Sequence, residues 1–422
     1  MKTTKTIVNS NLFSLSTVML FTLGTVFLWF HASSNVSSFV YFFVLWCLYL
    51  VVAYISEHNK LVGSLRKWVF LSVLFYPLLL VGISGIMRTQ GTAAVHDNVL
   101  QMSAAVNFLL NSKNPYTHDY LDTMLAEQTF IVTNTGDTFV NPSLFHAVKM
   151  PLHLLLPTVG YVVLGEFDVR WMYMGLFLVS ILLVFFMIPK YKWAYLFAVL
   201  FGLNPMMATF TLGGRDDIFV LFWIVLTLFL LVRKKMYLAS FSMGLALVSK
   251  HSAWLMLPFL LAYLYFSVES GGIKLRLRQV VKWSLPAIVV TLVFLTPFIV
   301  WDAGSMWQDL VAYPAGTLET SFPINGYGLT NYLLQNGFID SMYDYFPSWI
   351  PQLIVGIPLM IGFVILQRKS NSLGTTMRSY AIFMFAYWFF SRFFHDNYVG
   401  YVSELLILGV FVSGDIELFE MS

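Results

Sequence analysis

Charge is what this sequence has least of. Only 11% of its 422 residues are Asp, Glu, Lys or Arg, against about a quarter in a water-soluble domain. With so few charges and 58% hydrophobic residues, the chain cannot cover its own surface in water. Lipid must be the solvent for much of it. Cysteine is nearly absent. Cys47 stands alone inside an apolar run, which excludes an intrachain disulfide, a CxxC redox motif and a cysteine-rich metal site. The net charge is only +3 and no basic block occurs, so nucleic acid is not an expected partner. Neither a Walker loop nor a Rossmann glycine pattern is present. Between Asp302 and Ile350 there is no Lys or Arg at all.

What is plentiful is apolar sequence in long runs. A bilayer-spanning helix needs about 17–25 such residues. Twelve runs qualify: 11–31, 37–56, 68–87, 170–188, 194–211, 215–232, 236–250, 252–268, 283–301, 350–367, 374–392 and 398–414. The expected fold is therefore an all-α polytopic membrane protein with about 12 spans (range 10–13), forming one transmembrane domain over 1–422. The stretch 143–165 is also apolar, but Pro142, Pro151, Pro157 and Gly160 interrupt it, which predicts a re-entrant or interfacial hairpin. Lys2 and Lys5 precede the apolar stretch Leu12–Phe30. No A-x-A site follows, so a retained first helix is expected rather than a cleaved signal peptide.

Positive charge orients these spans, because Lys and Arg collect in inner loops. With the N-terminus inside, 17 of the 24 basic residues fall inside; the exceptions are Arg88, Lys113, Lys149, Arg170, Arg215, Lys250 and Arg392. Treating 143–165 as a full span would reverse the loops that follow. Both termini are then cytoplasmic in a multi-pass protein of the cell membrane. Two long loops, 88–169 and 302–349, and most of the acids lie on the outer face, where the work is expected to be done.

Four constellations reach that face. His96-Asp97-Asn98 precedes an amphipathic helical pattern with apolar Val99, Met102, Val106 and Leu109. Asp97 reads either as the cap of that helix or as a general base, with its proton affinity raised at the edge of a low-dielectric region. Gly213-Gly214-Arg215-Asp216-Asp217 opens a span. Two acids exceed what capping needs, but neighbouring helix positions do not share a face, which disfavours a metal there. Lys250-His251 lies between two spans, where a cation either snorkels to the interface or binds an anionic head group. Arg392-Phe393-Phe394-His395-Asp396-Asn397-Tyr398 packs many polar residues between apolar spans, and Arg392 and His395 could donate to phosphate oxygens. One acid among several cations suits a site that deprotonates an acceptor while stabilising a phosphate leaving group.

Together these residues resemble the GT-C superfamily of glycosyltransferases, and in particular polyprenol-phosphate-mannose-dependent mannosyltransferases. The resemblance rests on His96-Asp97-Asn98, Lys113-Asn114-Pro115-Tyr116, Asn204-Pro205 with Gly214-Arg215-Asp216-Asp217, Lys250 to Pro258, and His395 to Tyr398. Asn141-Pro142-Ser143 and Met150-Pro151 are a looser match to a family Tyr-Pro-Pro element, and Arg215 stands where the family usually has Gln. It covers roughly residues 85–400. The resemblance implies an inverting transfer of a sugar, mannose by default, from a polyprenyl-phosphate donor to a lipid or glycan acceptor. Asp97 would be the base. His96, Arg215, Asp216, Lys250, His251, Arg392, His395 and Tyr398 would hold donor phosphate and substrate, without a metal or other cofactor. The competing readings are a non-enzymatic flippase for lipid-linked glycans, and a related transferase using another polyprenyl-phosphate sugar.

Overall fold

The computed structural model describes residues 14–33, 35–56, 60–133, 136–188, 191–268 and 272–412. Lys2, Lys5 and Lys190 of the charge count lie outside these. The described chain is helical almost throughout. Its helices are α1 (Leu15–Ala32), α2 (Val36–Ser56), α3 (Lys60–Thr89) and α4 (Asp97–Leu110). A short hairpin, β1 (Phe130–Val132) with β2 (Thr138–Val140), follows. Next come α5 (Pro151–Leu164), α6 (Val169–Met187), α7 (Tyr191–Gly202), α8 (Pro205–Leu212), α9 (Asp217–Val232), α10 (Met236–Leu247), α11 (Ser252–Phe266) and α12 (Ile273–Trp307). The chain ends with β3 (Asn325–Gly326), α13 (Leu329–Gln335), α14 (Trp349–Lys369), α15 (Leu373–Phe389), β4 (Phe393–Phe394) and α16 (Asp396–Phe411).

Every one of the twelve apolar runs falls on a helix or a bent pair of helices. Among the described residues, six helices are long and apolar enough to cross a membrane, or seven if one bent pair is a single span. That pair is α7 and α8, which meet at 51°. The break has a local cause. Pro205 begins α8, where its missing N–H costs nothing, but it cannot continue α7. Asn204 then donates its side-chain amide to Ser403 Oγ (2.6 Å) and ties the bend to α16. The remaining apolar helices are shorter, such as the 12-residue α10 and the 17-residue α15.

The stretch 143–165 contains a turn of 3-10 helix at Pro142–Leu144, an extended segment, and then the 14-residue α5. Val159, Val162, Val163 and Leu164, in the last turns of α5, are exposed apolar residues. α12 carries Pro286 and Pro297, and its backbone leaves helical geometry at Asp302. The Asp302 carboxylate then accepts from Ser305 N (2.9 Å), recapping the chain where the second long loop was expected to begin.

The junctions α3–α4, α8–α9, α10–α11 and α15–α16 converge at one end of the bundle. Backbone and side-chain bonds stitch them together. Leu152 N donates to Val248 O (3.0 Å), Asn98 Nδ2 to Gly214 O (2.7 Å), and Asn397 Nδ2 to Asp217 Oδ2 (2.5 Å). The basic turn Arg233–Lys235 closes α9 at its other end, one helix length from Asp217. Below the stitched end, buried aromatic and aliphatic side chains from most helices form a single core.

Candidate active site

The site is assembled around the start of α4. Val99, Met102 and Val106 of the expected apolar stripe are buried, with Leu109 packed against the same core. The helix therefore lies against the bundle with its first turn over the α8–α9 junction. His96, not Asp97, is the N-cap, with its ring Nδ1 3.2 Å from Asn98 N. Asp97 is the first helical residue, where a carboxylate is favoured by the exposed N–H groups. Its Oδ1 accepts from Asn98 N (2.7 Å) and lies 2.7 Å from His96 Nδ1. Asn98 anchors the turn through Tyr173 OH (3.2 Å) and Gly214 O (2.7 Å). Gly214 permits this approach. Its φ is +101°, and a Cβ there would strike Val99 Cγ2.

A chain of charges runs from Asp97 into the bundle. Lys149, just before α5, donates to Asp216 Oδ2 (2.7 Å). Lys250, in the α10–α11 turn, donates to both Asp216 Oδ1 (2.8 Å) and Asp217 Oδ1 (2.6 Å). The two adjacent carboxylates thus do share a partner, because Asp216 lies just outside α9 and Asp217 just inside it. Lys250 Nζ also stands 5.9 Å from the Tyr398 ring, which stacks on Trp388. Arg215 donates to Asp396 Oδ1 (2.7 Å) and Asn397 Oδ1 (2.6 Å). His153 bonds Tyr173 OH through Nε2 (2.6 Å), with Nδ1 3.8 Å from Asp216 Oδ2.

The expectation of a raised proton affinity at Asp97 is overturned. Burial does push its pKa up, but the His96 hydrogen bond, the His96 and Lys149 charges and the Asn98 N–H together pull it down to about 2. Asp97 is therefore ionised, and its side chain remains 21% exposed. His395 shows the reverse shift. Burial and the Arg215 charge hold its pKa down to about 4, against the opposing pull of Asp396 and Asp97. Its ring packs among Phe393, Phe322 and Tyr398.

The structure thus brings His96, Asp97, Arg215, Asp216, Lys250, His395 and Tyr398 into one neighbourhood. Two candidates stand apart. His251 is exposed at the start of α11, and its ring makes no hydrogen bond among the described residues. Arg392 is only 3% exposed. Its guanidinium donates to Phe322 O (2.6 Å), Asp344 O (2.7 Å) and Met342 O (3.1 Å). It straps the second long loop, and Gly316 leaves it the room, since a Cβ there would meet the guanidinium.

Sequence reasoning missed Lys149, His153 and Asn397 as members of the network. Lys149 is positioned by the Asn114-Pro115-Tyr116 turn. Asn114 Oδ1 accepts from Tyr116 N (3.1 Å), and the buried Tyr116 donates its hydroxyl to Lys149 O (2.5 Å). A second His–Asp pair was also missed. His146 Nδ1 lies 2.7 Å from Asp309 Oδ1, while Asp309 Oδ2 accepts from Ala147 N (2.7 Å). Both residues are buried, and the pair braces the segment that carries Lys149.

No protein-family model matches the chain, and no curated protein matches it. Among solved structures, the chain is similar to ArnT from Cupriavidus metallidurans, crystallised bound to undecaprenyl phosphate. The identity is 16%, the match covers 84% of this chain, and the TM-score is 0.47. This chain spans 63% of the length of that protein.

Proposed function

We propose that this protein is an inverting membrane glycosyltransferase. It would move a sugar, mannose being the first to test, from a polyprenyl-phosphate donor to a hydroxyl of a lipid or glycan acceptor. The observation that carries this reading is the Asp97 carboxylate, ionised, partly open, and linked electrostatically to Lys149 at the head of a paired cation cluster. An ionised Asp is a weak base towards a free hydroxyl. It becomes an adequate one as the new C–O bond forms and the hydroxyl proton grows acidic. Asp97 would orient the acceptor hydroxyl and take its proton late in the displacement. His96, on the same carboxylate, would hold Asp97 in place.

Lys149, Lys250 and Arg215 all enter the reaction already paired with Asp216, Asp217 or Asp396. The donor phosphate would therefore recruit them by competing with a carboxylate, and Lys250, with two acidic partners, could pivot while keeping one. The cations would stabilise charge that appears as the glycosidic bond breaks. Asp216 and Asp217 would act as positioning residues. Tyr398 and His395 would wall the site with aromatic surface. The inner bias of Lys and Arg supports placing this end of the bundle on the outer face.

A flippase reading draws on one observation. Glu404, inside α16, is fully buried, with the Asn204 side chain as its hydrogen-bonding neighbour. Purified protein in proteoliposomes with radiolabelled polyprenyl-phosphate mannose separates the two. Transferase action yields labelled acceptor and free polyprenyl phosphate. Translocation of intact donor without either product would favour the flippase.

A further inference from the structure

Away from the charge network, a cavity of about 400 Å3 opens between the β1–β2 hairpin and the second long loop. That volume falls within the range of about 300–1,000 Å3 found for small-molecule sites. Its chemistry differs from that of the network. Asn325, Asn331, Gln335 and two carboxylates, Asp137 and Asp340, line it, with Tyr343 at the rim. There is no lysine or arginine in its lining, and Arg392, which lies behind the loop, is occupied by three backbone carbonyls.

Two of the polar groups, the Asn325 and Asn331 amides, are held in place by the backbone. Asn325 Oδ1 accepts from Gly326 N (2.7 Å), and Asn331 Nδ2 donates to Gly326 O (2.6 Å). The other end of each amide, the Gln335 amide and the Asp340 carboxylate have no protein hydrogen bond among the described residues. Amides both donate and accept, and a carboxylate accepts. Hydroxyl groups on adjacent carbons need that combination, whereas a phosphate or carboxylate ligand would meet the uncompensated charge of Asp340. Ile324, Leu334 and Met342 supply apolar wall, and the Tyr343 ring is 57% exposed. A pyranose presents the matching pair of surfaces, a hydroxyl rim and a C–H face.

We propose that this cavity is a binding subsite for a neutral glycan, and that it holds the acceptor some distance from the transfer site. The role as acceptor subsite rests on the glycosyltransferase reading; the ligand class does not. The subsite is joined to the network through the backbone. β3 pairs with β4 in register, Asn325 opposite Phe393 and Gly326 opposite Phe394, and β4 runs directly into His395 and Asp396. Thr330 Oγ1 adds a bond to Ser391 O (2.8 Å).

The test is a binding measurement, so that it stands apart from catalysis. Protein in lipid nanodiscs is examined by saturation-transfer NMR with methyl α-D-mannopyranoside, methyl β-D-glucopyranoside, maltotriose and D-glucose 6-phosphate as probes. At least one neutral sugar is expected to receive saturation, and the phosphate ester none. Asp340→Ala and Gln335→Ala should each weaken binding by about three- to tenfold, the equivalent of one hydrogen bond. Lys113→Ala, at an exposed residue outside both the cavity and the charge network, should leave it unchanged. The proposal is overturned if no neutral sugar binds, if binding is indifferent to both substitutions, or if glucose 6-phosphate binds as well as the neutral sugars. A protein that binds sugar this way but shows no transfer would sink the enzymatic reading and keep the subsite.

Discussion

Lys149 and Lys250 both bond Asp216, and Lys250 alone reaches Asp217. Removing one partner of such a buried pair leaves an uncompensated charge, which costs about 3–5 kcal/mol. Lys250→Ala is therefore expected to lower the melting temperature in detergent sharply, and Lys250→Ala with Asp217→Asn to recover part of the loss. At Asp97 the sign of the pH dependence follows from its depressed pKa. The unfolded chain takes up a proton near the ordinary value of 3.8, and the folded chain only near 2. The stabilising contribution of Asp97 is complete above pH 4 and fades as the pH falls towards 2. Activity should show no acidic limb from Asp97 between pH 8 and 5. His395 works the other way. Its folded pKa of about 4 lies below the ordinary 6.5, so stability falls as the pH drops through that interval. His395→Phe, which keeps an aromatic ring against Phe393 and Phe322, should flatten the loss of melting temperature between pH 6.5 and 4.5. A slope identical to that of the wild type would contradict the assignment. None of this was legible in the sequence. Asp97 reads as a carboxylate with a raised pKa from its place beside an apolar span, whereas the shift is reversed first by the side chain of its neighbour His96, whose orientation the sequence leaves open, and then by Lys149, 52 positions on.

Elements were far more legible than contacts. The apolar runs fixed the helices because a bilayer-length stretch of apolar residues has few other outcomes. The α4 stripe is read from residues within one or two turns, whereas the run 194–211, expected as one span, is broken at Pro205, and the helix expected to end near 301 restarts at Asp302. Arg392 was misread because its partners are backbone carbonyls of a loop about 50 to 70 residues earlier, to which side-chain identity gives no clue. Its strap role predicts that Arg392→Lys fails to rescue Arg392→Ala, since an ammonium cannot span three carbonyls held by a planar fork. Limited proteolysis should then cut between 316 and 344 in both variants. If Arg392→Lys is as resistant as the wild type, the guanidinium is not the strap. Gly214 tests the α4 dock in the same way. Gly214→Ala combines a left-handed φ with a clash against Val99, and should cost about 1–3 kcal/mol. Adding Val99→Ala should recover the steric part and leave the conformational part.

At the scale of the whole molecule, the charge network, the strapped loop and the glycan-sized cavity lie together, joined by β3 and β4, while the Arg233–Lys235 turn closes α9 at its far end. Exposed Lys113 and Lys235 report on the two ends. In a Cys47→Ala background, Lys113→Cys is expected to react with a membrane-impermeant maleimide in intact cells, and Lys235→Cys only after permeabilisation. The opposite pattern would place the site on the inner face. The most direct test of the central claim is mannose transfer by purified wild-type and Asp97→Asn protein, with polyprenyl-phosphate mannose as donor and donor binding measured in parallel. The account predicts unchanged donor binding and transfer lowered by about 10²–10⁴-fold. Near-normal transfer by the folded Asp97→Asn protein would contradict it.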